Sequence, residues 1–371
     1  MNPNTSENTP IRVGLIGLGR AGWDIHAKHF HADPRFRVVE VMDPEAYRCA
    51  EAEEQLGCRA FFSRDEMLDR GEADLVVVSS PNLAHREDAL AVCGAGKHCV
   101  IEKPMATTYP EAVQIVEAFA SSGLHFFPHH QYLFSKEFQF LKKVIGGGQL
   151  GEVFEIRYNW AAYVRRNDWQ TLRRNGGGLW NNHGAHILSM LLPLLWARVR
   201  SLVGETRHIK DAGDADDHAS FLMTAENGRL GAILLSTCCP VPMPRVLVLG
   251  SCGCAYQPPG STEIRVKSFD PEMVPDLTVQ DGAARNRVYG TRETLPWREE
   301  GIPLDSLDAP PSFVDDVARV LAHGTEPAAT PESAVEMIRI LQWGLEGKDP
   351  AAGAKITSAA DGQVPLTSLV A

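Results

Sequence analysis

Long apolar runs are missing from this sequence: the most apolar stretches, such as residues 187–196, fall well short of the roughly 20 residues that span a bilayer. A secretory leader is also missing. The first ten residues, MNPNTSENTP, are polar and lack the charged start and apolar stretch of a signal, so they read as a frayed tail of a cytoplasmic protein. No basic run of useful length occurs, and the net charge is −11 over 371 residues. That balance excludes nucleic acid as the main partner, because a phosphate backbone calls for a basic patch. Eight cysteines, at 49, 58, 93, 99, 238, 239, 252 and 254, contain no CxxC pair, which speaks against a disulfide framework. No internal repeat is evident. What remains is ordinary for a globular chain with a real core: 44% apolar and 22% charged residues, and enough length for two domains.

The first third carries a dinucleotide-binding pattern. An apolar run, IRVGLI (11–16), ends at Gly17, and Gly17, Gly19 and Gly22 follow at GxGxxG spacing before a helical stretch, AGWDIHAKHF. The first glycine allows a tight bend, the second lets the backbone approach a pyrophosphate, and the third lets helix and strand pack closely. The start of the helix then offers unpaired N–H groups to the phosphates. A second strand, RVVEVM (37–42), ends at Asp43, 21 positions after Gly22. An acid at that spacing suits the adenosine ribose hydroxyls and repels a 2′-phosphate, so NAD is expected rather than NADP. The alternation continues through DLVVVS (74–79), a break at Ser80, Pro81 and Asn82, a helix over 85–94, a strand beginning HCVIEKP (98–104) and a helix over 111–121. This β-α-β order predicts a parallel, doubly wound sheet.

With Glu102-Lys103-Pro104 in view, the sequence resembles the glucose–fructose oxidoreductase, inositol dehydrogenase and rhizopine-catabolism family, Gfo/Idh/MocA. The resemblance rests on GLGRAG (17–22), SSPNLAH (79–85), GKHCVIEKP (96–104), GQLGEV (148–153), GGGLWNNHGAH (176–186) and TPESAVEMIRILQWGLEG (330–347). It implies a Rossmann domain over 11–132, after a tail at 1–10. A second α/β domain over 133–371 would carry a large, open, mostly antiparallel sheet, with the last helices packing back on the first domain. It also implies a homodimer or homotetramer built on the open sheet face. The residues support the second sheet independently. In GEVFEIRYNWAAY, Phe154, Ile156, Tyr158 and Trp160 alternate with Glu155, Arg157 and Asn159, the period of a strand with one buried face. Two apolar stretches within 218–236 meet at Asn227-Gly228, a hairpin signal, and RVLVLG (245–250) follows. Residues 256–310 promise no more than short strands.

The resemblance implies a cofactor site at Gly17, Gly19, Arg20, Ala21, Gly22, Asp43, Ser80, Pro81, Asn82, His85, Glu102 and Lys103. Alcohol oxidation needs a proton acceptor and a hydride acceptor, and the cofactor supplies the second. Lys103, at a strand end facing the cleft, and His186, the last histidine of the family pattern GGGxxxDxGxH, are the expected catalytic pair. Two departures stand out. Asn182 occupies the place of the family aspartate, and an amide hydrogen-bonds without carrying charge. Near Gln131-Tyr132-Leu133 many relatives carry an arginine that this chain lacks. Substrate contacts are expected from Asn182, His183, His130 and the polar-aromatic segment with Tyr163, Arg166 and Trp169, whose flat groups suit sugar rings. The histidines suggest no metal set: no carboxylate or cysteine completes one at a recognisable spacing, and the group at His26, His29 and His31 reads as an exposed helix end.

The expected function is therefore an NAD-dependent oxidoreductase acting on a sugar, glycoside or cyclitol alcohol. A hydrolase or lyase that oxidises its substrate transiently is the alternative, and a non-catalytic sugar or dinucleotide sensor is a third reading. Retention of both Lys103 and His186 speaks against the sensor.

Overall fold

The computed structural model describes residues 9–352 apart from 280, 284–288 and 292. Most of the expected tail (1–8) and the end of the second domain (353–371) lie outside the described residues. Strands β1 (Ile11–Ile16), β2 (Phe36–Met42), β3 (Arg59–Phe61), β4 (Leu75–Val78), β5 (His98–Ile101) and β6 (Phe126–Pro128) alternate with helices α1 (Lys28–Ala32), α2 (Ala46–Leu56), α3 (Arg64–Arg70), α4 (His85–Gly94) and α5 (Tyr109–Ser122). The strands form one parallel sheet in the order β3-β2-β1-β4-β5-β6. The order reverses between β1 and β4, which opens a crevice at their carboxyl ends, the place where open α/β sheets bind ligands. β4 is buried at all four residues, as a Leu-Val-Val-Val run covered on both faces requires. α5 starts at a capping box, Thr108 with Glu111, carries Pro110 in its first turn and stops at a left-handed Gly123.

The second sheet has eight strands, in the order β14-β13-β12-β11-β7-β10-β9-β8. They are β7 (Val153–Ala161), β8 (Val199–Arg207), β9 (His218–Ala225), β10 (Leu230–Ser236), β11 (Val246–Gly250), β12 (Gly253–Tyr256), β13 (Glu263–Ser268) and β14 (Arg298–Pro303). Among the described residues its neighbours are antiparallel except β7 with β10. The β9–β10 hairpin turns at Asn227-Gly228, with Gly228 at φ 88°. The helices are α6 (Lys136–Gly146), α7 (Ala185–Leu195), α8 (Phe313–His323) and α9 (Pro331–Glu346). Among the described residues of 257–310 the strands are β13 and β14, in keeping with their weak pattern.

The phase expected for β7 fails at its start. Phe154 is 47% exposed while Glu155 is buried. The cause is a bulge: Leu249 of β11 pairs with Glu155 and the next residue, Gly250, pairs with Val153, which leaves Phe154 without an opposite. After the bulge Ile156 and Tyr158 return to the buried face.

Two cores hold the molecule together. One runs from a face of the first sheet through α5, α7 and α9 to the second sheet. The other lies on the opposite face of the first sheet, where Phe313, Val317 and Val320 of α8 pack with Val13, Leu15 and Phe30. Each such fully buried side chain contributes about 1.5–3 kcal/mol, so α8 is firmly seated on the N-terminal sheet.

Candidate active site

At the dinucleotide end the backbone does the work. Gly17 sits at φ 91°, where a Cβ would lie 2.8 Å from Ser79 O. A Cβ on Gly22 would overlap the carbonyl oxygen of Gly17, while one on Gly19 would meet nothing within 4 Å. The loop is thus closed on its sheet side and open at Gly19, the shape expected of a loop that receives a pyrophosphate against bare backbone. Arg20 and Ala21 then lead into a wide, π-type turn over Ala21–Ala27 that continues as α1. Asp43 has a task that spacing could not reveal. Its Oδ2 accepts the Leu18 N–H at 2.7 Å, its Oδ1 accepts the Glu45 N–H at 2.9 Å, and Arg48 stands 3.3 Å away. Asp43 therefore anchors the glycine loop from below.

Other positions expected at the cofactor are built into the frame. Ser80 donates to Asp88 Oδ2 at 2.5 Å, beside the exposed Pro81 and the half-buried Asn82, whose side chain lies next to Gly176. The buried His85 ring bridges two carbonyl oxygens, with Nδ1 2.8 Å from Pro104 O and Nε2 2.8 Å from Ser80 O. It fastens the loop after β4 to the loop after β5. Glu102 is buried too. Its Oε1 accepts from His26 Nε2 at 2.8 Å and from His129 Nδ1 at 2.9 Å, and its Oε2 accepts the Lys103 N–H at 3.1 Å. Burial alone would raise the Glu102 carboxyl, but the charges and hydrogen bonds of His129 and His26 hold it well below its usual range.

His26 therefore corrects the sequence reading. His29 and His31 are exposed, but His26 is buried against a carboxylate 76 residues away, and its Nε2, His129 Nδ1 and Glu102 Oε1 lie within 4.8 Å of one another. Spacing along the chain could not show a group assembled from α1's entry turn, β5 and β6. Both imidazoles are hydrogen-bonded to the one carboxylate oxygen, so the cluster ties the glycine-loop helix to the strand that carries Lys103.

The substrate end converges on Lys103, beyond β5 at a cis peptide to Pro104. Lys103 Nζ donates to Asn182 Oδ1 at 2.9 Å and to Asn182 O at 3.2 Å. Burial lowers its pKa to about 8, with Glu102 resisting and the nearby Arg20 assisting. Asn182 Nδ2 donates to Gln170 Oε1 at 2.8 Å, and Arg166 Nη2 donates to the same oxygen at 2.5 Å. Arg166 also makes a two-point pair with Asp168, at 2.8 and 2.9 Å.

The histidines nearby are kept neutral. Burial, then the charges of Lys103 and His183, push His186 down to about 2, and its ring stands edge-on to Tyr132 at 4.9 Å between centroids. His183, pushed down to about 4 by burial and Lys103, lies against Trp160 at 3.9 Å. His130 is pushed down to about 3 by burial and His129. His183 Nδ1 and His130 Nε2 are both buried without a hydrogen-bond partner. Two expected substrate contacts, Tyr163 and Trp169, are exposed instead, at 60% and 49%, and Tyr163 lies beneath the Lys210 ammonium at 5.1 Å. The structure does not bring them into the hydrogen-bonded centre.

Sequence reasoning missed three residues that hold this centre. Gln170 is one. Trp180 is another: wholly buried, it bonds Leu341 O of α9 through its indole N–H at 2.9 Å and packs on Phe221 of β9. It pins a second wide turn, Trp180–Gly184, which carries Asn182 into α7. The third is Asp216, whose Oδ2 accepts the Trp180 N–H at 2.7 Å, capping that turn. Burial raises Asp216 to about 6 despite this bond. An acidic residue just before β9 carries no spacing signal toward position 180, so only the fold could reveal it.

Comparisons with known proteins show the family and the fold. Residues 11–130 match the oxidoreductase family, NAD-binding Rossmann fold, and residues 138–256 match the GFO/IDH/MocA C-terminal domain. The chain is 23% identical over 345 residues to scyllo-inositol 2-dehydrogenase (NADP(+)) IolW of Bacillus subtilis, covering 91% of the chain and 93% of that protein. It is 25% identical over 249 residues to 2,7-anhydro-N-acetylneuraminate hydratase of Escherichia coli, where the match spans 66% of each protein, just under two thirds of that relative's length. Among solved structures it is similar to the WlbA dehydrogenase from Bordetella pertussis in complex with NADH and UDP-GlcNAcA. The TM-score is 0.70 and the identity 25%, over 90% of this chain and 94% of that one.

Proposed function

The chain belongs to the GFO/IDH/MocA oxidoreductase family, and from that premise we propose that it transfers a hydride between a secondary alcohol of a sugar, glycoside or cyclitol and NAD. The observation that carries this reading is Lys103: a partly buried amine at the mouth of the crevice, 2.9 Å from Asn182 Oδ1 and lowered to about 8. NAD, when bound, accepts the hydride in oxidation and returns it in reduction. The glycine loop from Gly17 to Gly22 would hold its pyrophosphate, with Asp43 keeping the loop in shape.

The chain's own residues handle position and proton. In oxidation the neutral Lys103 amine accepts the hydroxyl proton as the carbon loses its hydride, and in reduction the ammonium gives that proton back. His186, expected as a proton-handling partner of Lys103, is pushed down to about 2 by burial and so is assigned instead to hydrogen-bond the reacting hydroxyl, while His183 and His130 offer their unpaired nitrogens to neighbouring hydroxyls. The amine fraction of Lys103 grows as pH rises through about 8, so oxidation quickens and reduction slows across that window. A homo-oligomer is part of this proposal. The second sheet leaves Val203 and Leu222 exposed side by side on β8 and β9, a surface a second copy would cover.

The second reading, transient oxidation followed by elimination or hydration, is supported by the hydratase relative and by Asn182, whose amide removes a charge from beside Lys103. Absorbance at 340 nm with NAD and a panel of sugars, glycosides and inositols tests both. Continuing NADH formation with one compound supports net dehydrogenation. Substrate consumption with no net NADH supports the transient route.

A further inference from the structure

Two cations bracket a pair of amides in this site, and that fixes the direction of both amides. Arg166, and Lys103 as the ammonium that predominates below about pH 8, are donors only. The Gln170 atom that meets Arg166 Nη2 must be its oxygen, and the same oxygen meets Asn182 at 2.8 Å. Asn182 therefore turns its nitrogen to Gln170 and its oxygen to Lys103, at 2.9 Å. Read from the lysine end, the chain of bonds gives the same orientation. Arg166 is itself held by Asp168, and its backbone N–H is accepted by Asp211 Oδ1 at 3.2 Å.

A carboxylate at 182 would keep one oxygen on Lys103 but set the other against Gln170 Oε1, acceptor against acceptor. Gln170 could offer its Nε2 only by turning the same donor toward Arg166. Gln170 is thus matched to the amide that replaces the family aspartate.

We propose that Gln170, held by Arg166, is a positioning residue that locks the Asn182 amide with its oxygen on Lys103. The catalytic consequence rests on the reading of Lys103 given above, but the lock itself does not. The charged and titratable groups around Lys103 are Glu102 from its own strand end, Arg20 from the glycine loop, His130 beyond β6, and His183 and His186 on the turn into α7. A change at Gln170 leaves all of these in place.

The test is the pH dependence of Lys103 acetylation by acetic anhydride, read by peptide mass spectrometry on the full-length protein without substrate. In the Gln170→Leu variant Asn182 loses its anchor and turns away from Lys103. The ammonium then loses an acceptor, and the labelling midpoint falls by about one pH unit. In Gln170→Glu a carboxylate accepts from both Asn182 and Arg166, so the lock survives and the added negative charge moves the midpoint above that of the wild type. Opposite shifts from two similarly sized replacements are not the result of a loosened fold. Midpoints that stay at the wild-type value in both variants, or fall in both, would overturn the proposal. Because no hydride transfer is read, a failure of the dehydrogenase reading leaves this test intact, and the reverse holds as well.

Discussion

The two ends of the crevice are built from different materials. At the proposed dinucleotide end three glycines within six residues shape the loop, and one acid, Asp43, holds it from below. At the proposed substrate end Lys103, Gln170, Asn182 and Asp216 come from separate segments and are joined through side-chain hydrogen bonds. A backbone site tolerates almost any side chain that keeps its path, but no added methyl where two backbones touch. A side-chain site tolerates changes of backbone neighbours, but no change in who donates and who accepts.

The largest effect should come from the side-chain end. Lys103→Ala removes the proton acceptor, and kcat for oxidation should fall about 10²–10⁴-fold while NAD affinity, measured by calorimetry, stays near the wild-type value. Equal losses of kcat and NAD affinity would erase the distinction between the two ends. Gly22→Ala probes the opposite end. Its methyl meets Gly17 O and stands 2.6 Å from Ser79 Oγ, so NAD affinity should drop about 10–100-fold. The Lys103 labelling midpoint should not move.

A smaller effect lies beneath both. Asp216→Ala leaves the buried Trp180 N–H without its acceptor and should cost about 1–3 kcal/mol in urea unfolding. Asp216→Asn keeps an acceptor and should be milder. The pH dependence of this contribution has a definite sign. Folding raises Asp216 to about 6, so the native state holds a proton that the unfolded chain has already released. Stability is lost as pH rises from the ordinary carboxylate range through about 6, and Asp216→Asn should flatten that slope.

The contrast between the ends also explains what could be read from the sequence. Gly17, Gly19 and Gly22 are neighbours along the chain, and their spacing encodes a turn, so the parallel sheet and its cofactor were readable from pattern, although the part Asp43 plays beneath the loop was not. The β9–β10 hairpin was readable at Asn227-Gly228 for the same reason, since a local backbone demand selects the residues. His26 was misread because its partner, Glu102, is remote in sequence and a helix face does not say what will cover it. Phe154 was misread because a bulge breaks the period of two without leaving a mark in composition. Lys103 and Asn182 were identified through family resemblance, but not their contact. Gln170 was invisible, because a glutamine in a polar loop looks the same whether it faces water or sets the direction of an amide.

The most direct test of the account is the pH profile of NADH formation by the wild type and by Asn182→Asp, with any alcohol that the enzyme oxidises. The account predicts a rate that rises through a midpoint near 8 in the wild type, and a higher midpoint in the variant, where a carboxylate stabilises the Lys103 ammonium. A wild-type midpoint in the ordinary histidine range, unmoved by Asn182→Asp, would contradict it and give the proton to another group.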